Sequence, residues 1–399
     1  MKPSLHVAAG GPEAVSRSRL WVLSDQDQRS LAGILAAVLL TRLLLYVVGA
    51  IAIRMPPDGV PRVEAFLGKN LSLAAWVRWD AAWYLSVAER GYWFDPHGQS
   101  NVAFFPLLPL LIKGVGMVTG NLVVAGLLVA NLAALGAFLA LWRWVRAEAG
   151  SAPAERAVLW LLVYPFSFFL HSIYAEPLFF LLSTLALDAS SRGQRLAAGL
   201  WGGLAATTRP MGVLLAPALA WGLWQDRRRG RHLGPRDVIA VFLPAAGLGA
   251  YMAYLWVAFG DPLVFWTAHV VGWRVEFHWT VAKYWRETYW LMTRLVRVHT
   301  YTHLLDSMRI LLPVVFVALT VQVFRRLGAV PGVYASLALA VGVLFAPVSI
   351  GREFLAVTPV FAVAGLIGPR GTLGEALRLV SLGLLLLFVF AFVKGRFLG

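Results

Sequence analysis

Leu31–Ile53 reads LAGILAAVLLTRLLLYVVGAIAI, an unbroken apolar run with one charge, Arg42, near its centre. A bilayer core takes roughly 20 apolar residues in a helix, so this run is long enough to cross and too apolar to face water. Comparable runs follow at 121–143, 156–172, 175–190, 195–208, 210–225, 237–259, 308–324, 330–347, 353–368 and 376–393. Composition agrees. Of 399 residues, 59% are hydrophobic and only 14% charged, with mean hydropathy +0.71, whereas a soluble chain carries about 25% charged residues. The fold expected is all-α, a polytopic transmembrane helical protein of about 11 spans. The short runs 195–208 and 210–225 are also compatible with one long bent helix. A soluble enzyme, a disordered chain and a single-span receptor are excluded.

The net charge is +15, but the bases sit in short loops between apolar runs rather than on one face. Arg143 and Arg146, Arg192 and Arg195, Arg227–Arg231, and Arg325 and Arg326 occupy every second loop. The positive-inside rule assigns those loops to the cytoplasm, and no nucleic-acid partner is needed to explain them. Residues 1–30 are then a polar cytoplasmic leader, and 31–399 form a single transmembrane domain. Its two large external loops are 54–120 and 260–307. Arginine far outnumbers lysine, a usage typical of GC-rich bacterial genomes, so a bacterial cytoplasmic membrane is the expected location. The chain has no cysteine, which removes disulfides and thiolate chemistry. No P-loop or GxGxxG stretch is available for nucleotide binding.

Alternation has a second consequence. Asp80, Glu176, Arg209 and Arg352 all map to the side opposite the basic loops. Ionisable groups near lipid are costly and mark functional sites by default, so convergence on one side points to an extracytoplasmic active site. Residues 71–92, LSLAAWVRWDAAWYLSVAERGY, read as an interfacial amphipathic helix with Trp76, Trp79, Trp83 and Val87 as an aromatic stripe suited to the headgroup layer. Asp80 lies beside that stripe with Tyr84 one turn on. A carboxylate partly withdrawn from water suits a general base; pairing with Arg78 is the other reading. AFFPLLPLLIKGVG at 103–116 reads as a second helix lying along the surface, because a full crossing there would reverse the basic loops.

WDAAWYLSVAERGY followed by AFFPLLPLL resembles the signature of the GPI mannosyltransferase 2 (PIG-V-like) family, within the GT-C class of integral-membrane glycosyltransferases. YPFSFFLHSIYAEPLFFLLS at 164–183, ATTRPMGVLLAPAL at 206–219 and SIGREFLAVTPVF at 349–361 fit the same pattern in the same order. The chain departs from the family at Asp95, in its Tyr-Trp-Phe-Asp-Pro context, and at Arg209-Pro210-Met211, which bears on the acceptor more than on the reaction class. The resemblance implies a polyprenyl-phosphate sugar as donor, typically mannose, and an aspartate of the first external loop as base, which falls on Asp80.

Such a donor carries its own leaving group. Inverting transfer then needs one base and positive charge for the departing phosphate, without the second carboxylate of a glycoside hydrolase. Arg352 and Arg209 are candidates, because a guanidinium binds phosphate bidentately; snorkelling to the headgroups is the alternative for each. Glu176, which starts an apolar run beside Pro177, is either a helix N-terminal acid favoured by the dipole or a holder of arginine or acceptor. Tyr174, His171, Trp79, Trp83 and Tyr84 are further candidates for substrate contact. His299 and His303 share a helical face, but they have neither an adjacent carboxylate ligand nor an HExxH pattern, so no metal or other cofactor is expected. Partners expected are the polyprenyl-phosphate sugar, a glycan, glycolipid or protein acceptor, and membrane lipids. The rival reading is a transporter or flippase for a lipid-linked or polar solute, which calls for internal symmetry that the sequence does not show.

Overall fold

Ser24 starts the first helix with a capping box. Its hydroxyl accepts from the Asp27 amide at 3.2 Å, and the Asp27 carboxylate accepts from the Ser24 amide at 2.9 Å. The protein is seen here as a computed structural model that describes residues 23–55, 73, 75–273, 301–346, 349–396 and 398. All its described regular elements are helical. The α-helices are α1 (Asp25–Arg54), α2 (Asp80–Arg90), α3 (Leu107–Thr119), α4 (Leu122–Ala149), α5 (Ser151–Val163), α6 (Glu176–Ser191), α7 (Arg195–Ala206) and α8 (Leu215–Arg228). They continue with α9 (Pro235–Phe259), α10 (Val264–Trp273), α11 (Tyr301–Leu327), α12 (Ala329–Phe345), α13 (Ile350–Glu353), α14 (Thr358–Ile367) and α15 (Gly371–Val393).

All eleven apolar runs carry helix, but among the described residues five helices are long and apolar enough to cross a membrane: α1, α4, α9, Ser307–Leu327 within α11, and α15. A sixth crossing is available if Ile350–Ala356 and Thr358–Ile367, bent by 83°, count as one span. The other runs are shorter for identifiable reasons. The 156–172 run stops at Val163 because Tyr164 precedes Pro165 and is extended, with φ −55° and ψ 130°. The 195–208 and 210–225 runs do not make one bent helix. Arg209, ahead of Pro210, is extended at φ −151° and ψ 145°. The chain then folds back so closely that a Cβ on Gly212 would lie 2.3 Å from the Ala206 amide nitrogen.

The first external loop also differs from expectation. Its helix α2 starts at Asp80 rather than near residue 71, and the aromatic stripe packs into protein. Trp76 is buried against α1, where a Cβ on Gly49 would come within 3.1 Å of its ring, and it meets His171 edge-on at 4.3 Å. Val87 is buried as well. Asp95 accepts from the His97 amide at 2.9 Å in a local turn. The second helix of the loop is α3, whose Leu110, Met117 and Val118 stay exposed. Of the 260–307 loop, α10 and the start of α11 are seen; His299 and most of the loop's aromatics lie outside the described residues.

The bundle has two chemically distinct ends. At the end carrying the basic loops, Arg146 pairs with Asp27 at 2.6 Å and Ser151 donates to the same carboxylate at 2.5 Å. Asp188 holds Arg143 at 2.5 Å and Arg192 at 2.8 Å, and Arg195 bridges Asp226 at 2.6 Å and Asp237 at 3.1 Å. These pairs tie together the ends of α1 and α4 through α9. Between the ends, α7 and α9 meet backbone to backbone: a Cβ on Gly247 would sit 2.2 Å from the Gly203 carbonyl oxygen, and one on Gly199 would sit 2.3 Å from that of Ala240. Small residues permit such approach where apolar packing alone supplies no preference between helix and lipid. Arg42, midway along α1, donates to the Leu170 carbonyl at 3.2 Å and lies 5.6 Å from the Phe138 ring.

Candidate active site

The opposite end gathers Asp80, Glu176, Arg209 and Arg352, the four charges the sequence assigned to one side, into a single ion network. Arg209 donates through Nη1 to Glu176 at 2.8 Å and through Nη2 to both oxygens of Glu353 at 2.5 and 2.6 Å. Arg352 donates through Nη1 to Asp80. Its Nε lies 3.4 Å from Glu176, and its Nη2 lies 3.7 Å from Glu353. Glu176 therefore touches both arginines with Oε1, while its buried Oε2 has no hydrogen-bond partner among the described residues. Aromatic rings wall the guanidinium groups: Arg352 lies 5.6 Å from Tyr174 and 5.7 Å from Phe169, and Arg209 lies 5.9 Å from Phe179.

Local sequence explains how each member arrives. Glu176 is the first residue of α6, with Pro177 in the first turn, so its carboxylate sits at the positive end of the helix. Arg209 is swung inward by its extended pre-proline backbone. Thr207 and Thr208, the last two residues before it, turn their hydroxyls onto the Leu204 carbonyl at 2.8 and 2.9 Å. Arg352 and Glu353 sit on α13, which is pressed against Phe166: a Cβ on Gly351 would meet that ring at 2.3 Å. The Tyr164 hydroxyl donates to the Gly351 carbonyl at 2.8 Å and fixes the same turn.

Asp80 is set by its neighbours. Trp79, just ahead of it, has φ 52°, the one positive value for a non-glycine among the described residues. A bulky side chain there costs on the order of 1–3 kcal/mol and persists only where the surroundings enforce it. Tyr174 supplies part of that enforcement by donating to the Arg78 carbonyl at 3.1 Å. Arg78 is not the partner of Asp80; its Nη2 donates to the Val393 carbonyl at 2.8 Å, which brings the end of α15 to the same place.

The remaining candidates divide. Tyr84 is buried one turn along α2; burial first, then the carboxylates of Glu176 and Asp80, raise its phenol well above the ordinary range and keep it a neutral donor. Trp83 stacks on Phe104 at 5.8 Å and meets Trp273 at 5.4 Å, so it builds an aromatic wall beside α2. Trp79 is partly buried against the same core. His171 stands apart from the charges, with Nδ1 2.7 Å from Asn131. Two residues were missed by sequence reading. Glu353 follows Arg352 directly, an acid at the start of an apolar run, and that was its signal. His269 on α10 donates from Nδ1 to the Phe265 carbonyl at 2.7 Å. Its pKa is lowered chiefly by burial, against the opposing fields of Asp80 and Glu353; no sequence pattern marked it. Among the described residues no three His, Asp or Glu side chains are grouped as metal ligands.

The described elements form an all-helical bundle with a charged site at one end. The structure resembles that of ArnT from Cupriavidus metallidurans, solved with undecaprenyl phosphate, at TM-score 0.51 and 15% identity, covering 86% of this chain and 62% of that one. It also matches the Archaeoglobus fulgidus oligosaccharyltransferase complexed with zinc and sulfate, at TM-score 0.47 and 14% identity, over 89% of this chain and 53% of that one. Residues 29–225, which include Asp80, Glu176 and Arg209, match the family described as Mannosyltransferase (PIG-V). The rat GPI alpha-1,6-mannosyltransferase 2 is 33% identical over 174 residues, 40% of this chain and 33% of the rat protein. The chain thus matches about a third of that relative's length.

Proposed function

We propose that this chain is a membrane mannosyltransferase that takes its sugar from a polyprenyl phosphate and passes it, with inversion, to an acceptor hydroxyl on the extracytoplasmic face. The observation that carries this reading is the convergence of Asp80, Arg352, Arg209, Glu176 and Glu353 at the end away from the basic loops. The match of residues 29–225 to the mannosyltransferase family and the likeness of the fold to ArnT support it.

Asp80 is the carboxylate placed to act. It is the most exposed acid of the network, at 21% of its side chain against 4% for Glu176 and 8% for Glu353, so an acceptor can reach it. It accepts the hydroxyl proton while the acceptor oxygen attacks the anomeric carbon and the bond to phosphate breaks. Arg352 and Arg209 stabilise the charge gathering on the departing phosphate, in a site where few water molecules compete. Glu176 and Glu353 hold the guanidinium groups in place, and Tyr84 offers a neutral donor beside them. Tyr174 is a positioning residue for the strained turn that presents Asp80.

The test is sugar transfer by the purified chain from polyprenyl-phosphate mannose to glycolipid, glycan and peptide acceptors. Asp80→Asn is expected to lower kcat by roughly 10²–10⁴, the usual contribution of a general base. Turnover at the wild-type rate in that variant would remove Asp80 from the chemistry.

A further inference from the structure

Both guanidinium groups of the site are already engaged. Three carboxylates, Asp80, Glu176 and Glu353, face two arginines, Arg209 and Arg352, leaving an excess of one negative charge. Among the described residues a phosphate entering here meets no vacant cation, and to take either arginine it has to displace an acid. The two arginines are not equally defended. Arg209 is held at 2.5 to 2.8 Å by two glutamates, both almost fully buried. Arg352 has one close partner, Asp80, and its approaches to Glu176 and Glu353 are 3.4 and 3.7 Å. Asp80 is also the most exposed acid, and it stands at the start of the eleven-residue α2, next to the backbone distortion at Trp79. It is the acid that gives way most easily, and Arg352 is the arginine it would release.

Resting on the function proposed above, we propose that the donor phosphate and Asp80 exchange places on Arg352. Before donor binds, the base is tied up and cannot deprotonate an acceptor or water. A seated phosphate takes Arg352, and Asp80 swings free toward the acceptor. The charges then balance through the reaction. The donor phosphodiester carries one negative charge. When the bond between the anomeric carbon and phosphate breaks, its electron pair stays on phosphate, which becomes a dianion. The acceptor oxygen forms the new bond to the sugar, and its proton passes to Asp80. The acid loses its charge in the step in which phosphate gains one, so it does not contest Arg352 while the dianion forms. Once Asp80 returns its proton to water, it competes for Arg352 again and expels the polyprenyl phosphate.

The exchange makes Asp80 an antagonist of product binding, which a base without this second role is not. The probe is undecaprenyl phosphate, titrated against the purified full chain and followed by thermal shift and intrinsic tryptophan fluorescence. Asp80→Asn and Asp80→Ala remove the competing charge by different chemistry. Both are expected to lose turnover and to bind undecaprenyl phosphate about tenfold more tightly than the wild type, a coupling of ordinary size between linked sites. Adding Arg352→Gln to either is expected to abolish the gain. Equal or weaker binding by both Asp80 variants would overturn the exchange while leaving Asp80 as base. Wild-type turnover by both would instead overturn the function on which the exchange rests.

Discussion

Asp80 and Arg352 are 272 positions apart in the chain and in contact in the fold. Each was legible alone, because a charge beside apolar sequence is anomalous; their partnership was not, since one sequence carries no trace of which distant charges meet. Glu353 was overlooked although it adjoins Arg352, and the network cannot be understood without it. Its charge count gives an unequal forecast for two substitutions. Asp80→Asn leaves two acids facing two arginines, so thermal unfolding in detergent is expected to stay within about 1 kcal/mol of the wild type. Arg352→Gln leaves three acids facing one arginine, two of them buried, and is expected to destabilise by roughly 3–5 kcal/mol. Tyr174→Phe removes only the tie to the Arg78 carbonyl. It is expected to lower kcat while leaving the affinity for polyprenyl phosphate almost unchanged, with about 1–2 kcal/mol lost in stability; steady-state kinetics alongside lipid titration separates the two effects.

Among the elements, helix existence was readable and helix extent was not. Proline marks the breaks at Tyr164-Pro165 and Arg209-Pro210, and these could be anticipated from the pre-proline restriction. The start of α2 could not. The apolar residues Ala75, Trp76 and Val77 suit a helix locally, but they are buried, Ala75 and Trp76 against Gly49 of α1, and the helix that carries the aspartate begins only at Asp80. The α7–α9 seam shows the same limit, because glycines in an apolar run read as neutral until a facing helix is known. With Gly203 and Gly247 in backbone contact, Gly247→Leu is expected to prise the two helices apart. It should reduce yield of folded protein and lower the midpoint of thermal unfolding by the equivalent of about 2 kcal/mol or more. Gly249→Leu, a position with open space around it, is the matched control and is expected to change little.

The whole molecule was the most legible level. Mean hydropathy fixes the solvent, and alternating basic loops separate the two ends, which the ion pairs of Asp27, Asp188 and Asp226 at one end and the site network at the other keep apart. The absence of cysteine makes the orientation directly measurable. Gln99→Cys and Arg229→Cys, both at exposed positions, are expected to react with a membrane-impermeant maleimide from opposite sides, Gln99→Cys from the extracytoplasmic one. Labelling of both from a single side would discard the proposed sidedness.

Helix α6 joins the two charged layers, opening with Glu176 and carrying Asp188 near its other end. Twelve residues of helix span about 18 Å, whereas the hydrocarbon slab of a bilayer is about 30 Å deep. Both layers cannot lie at the outer margins of an undisturbed slab along this flank. Either the leaflets pucker inward around the protein or a hydrated notch reaches down into the acyl region. In both geometries the polyprenyl-phosphate donor proposed above would have its tail drawn sideways out of its leaflet rather than lifted into water, and its phosphate would descend to the arginines instead of the arginines rising to meet it.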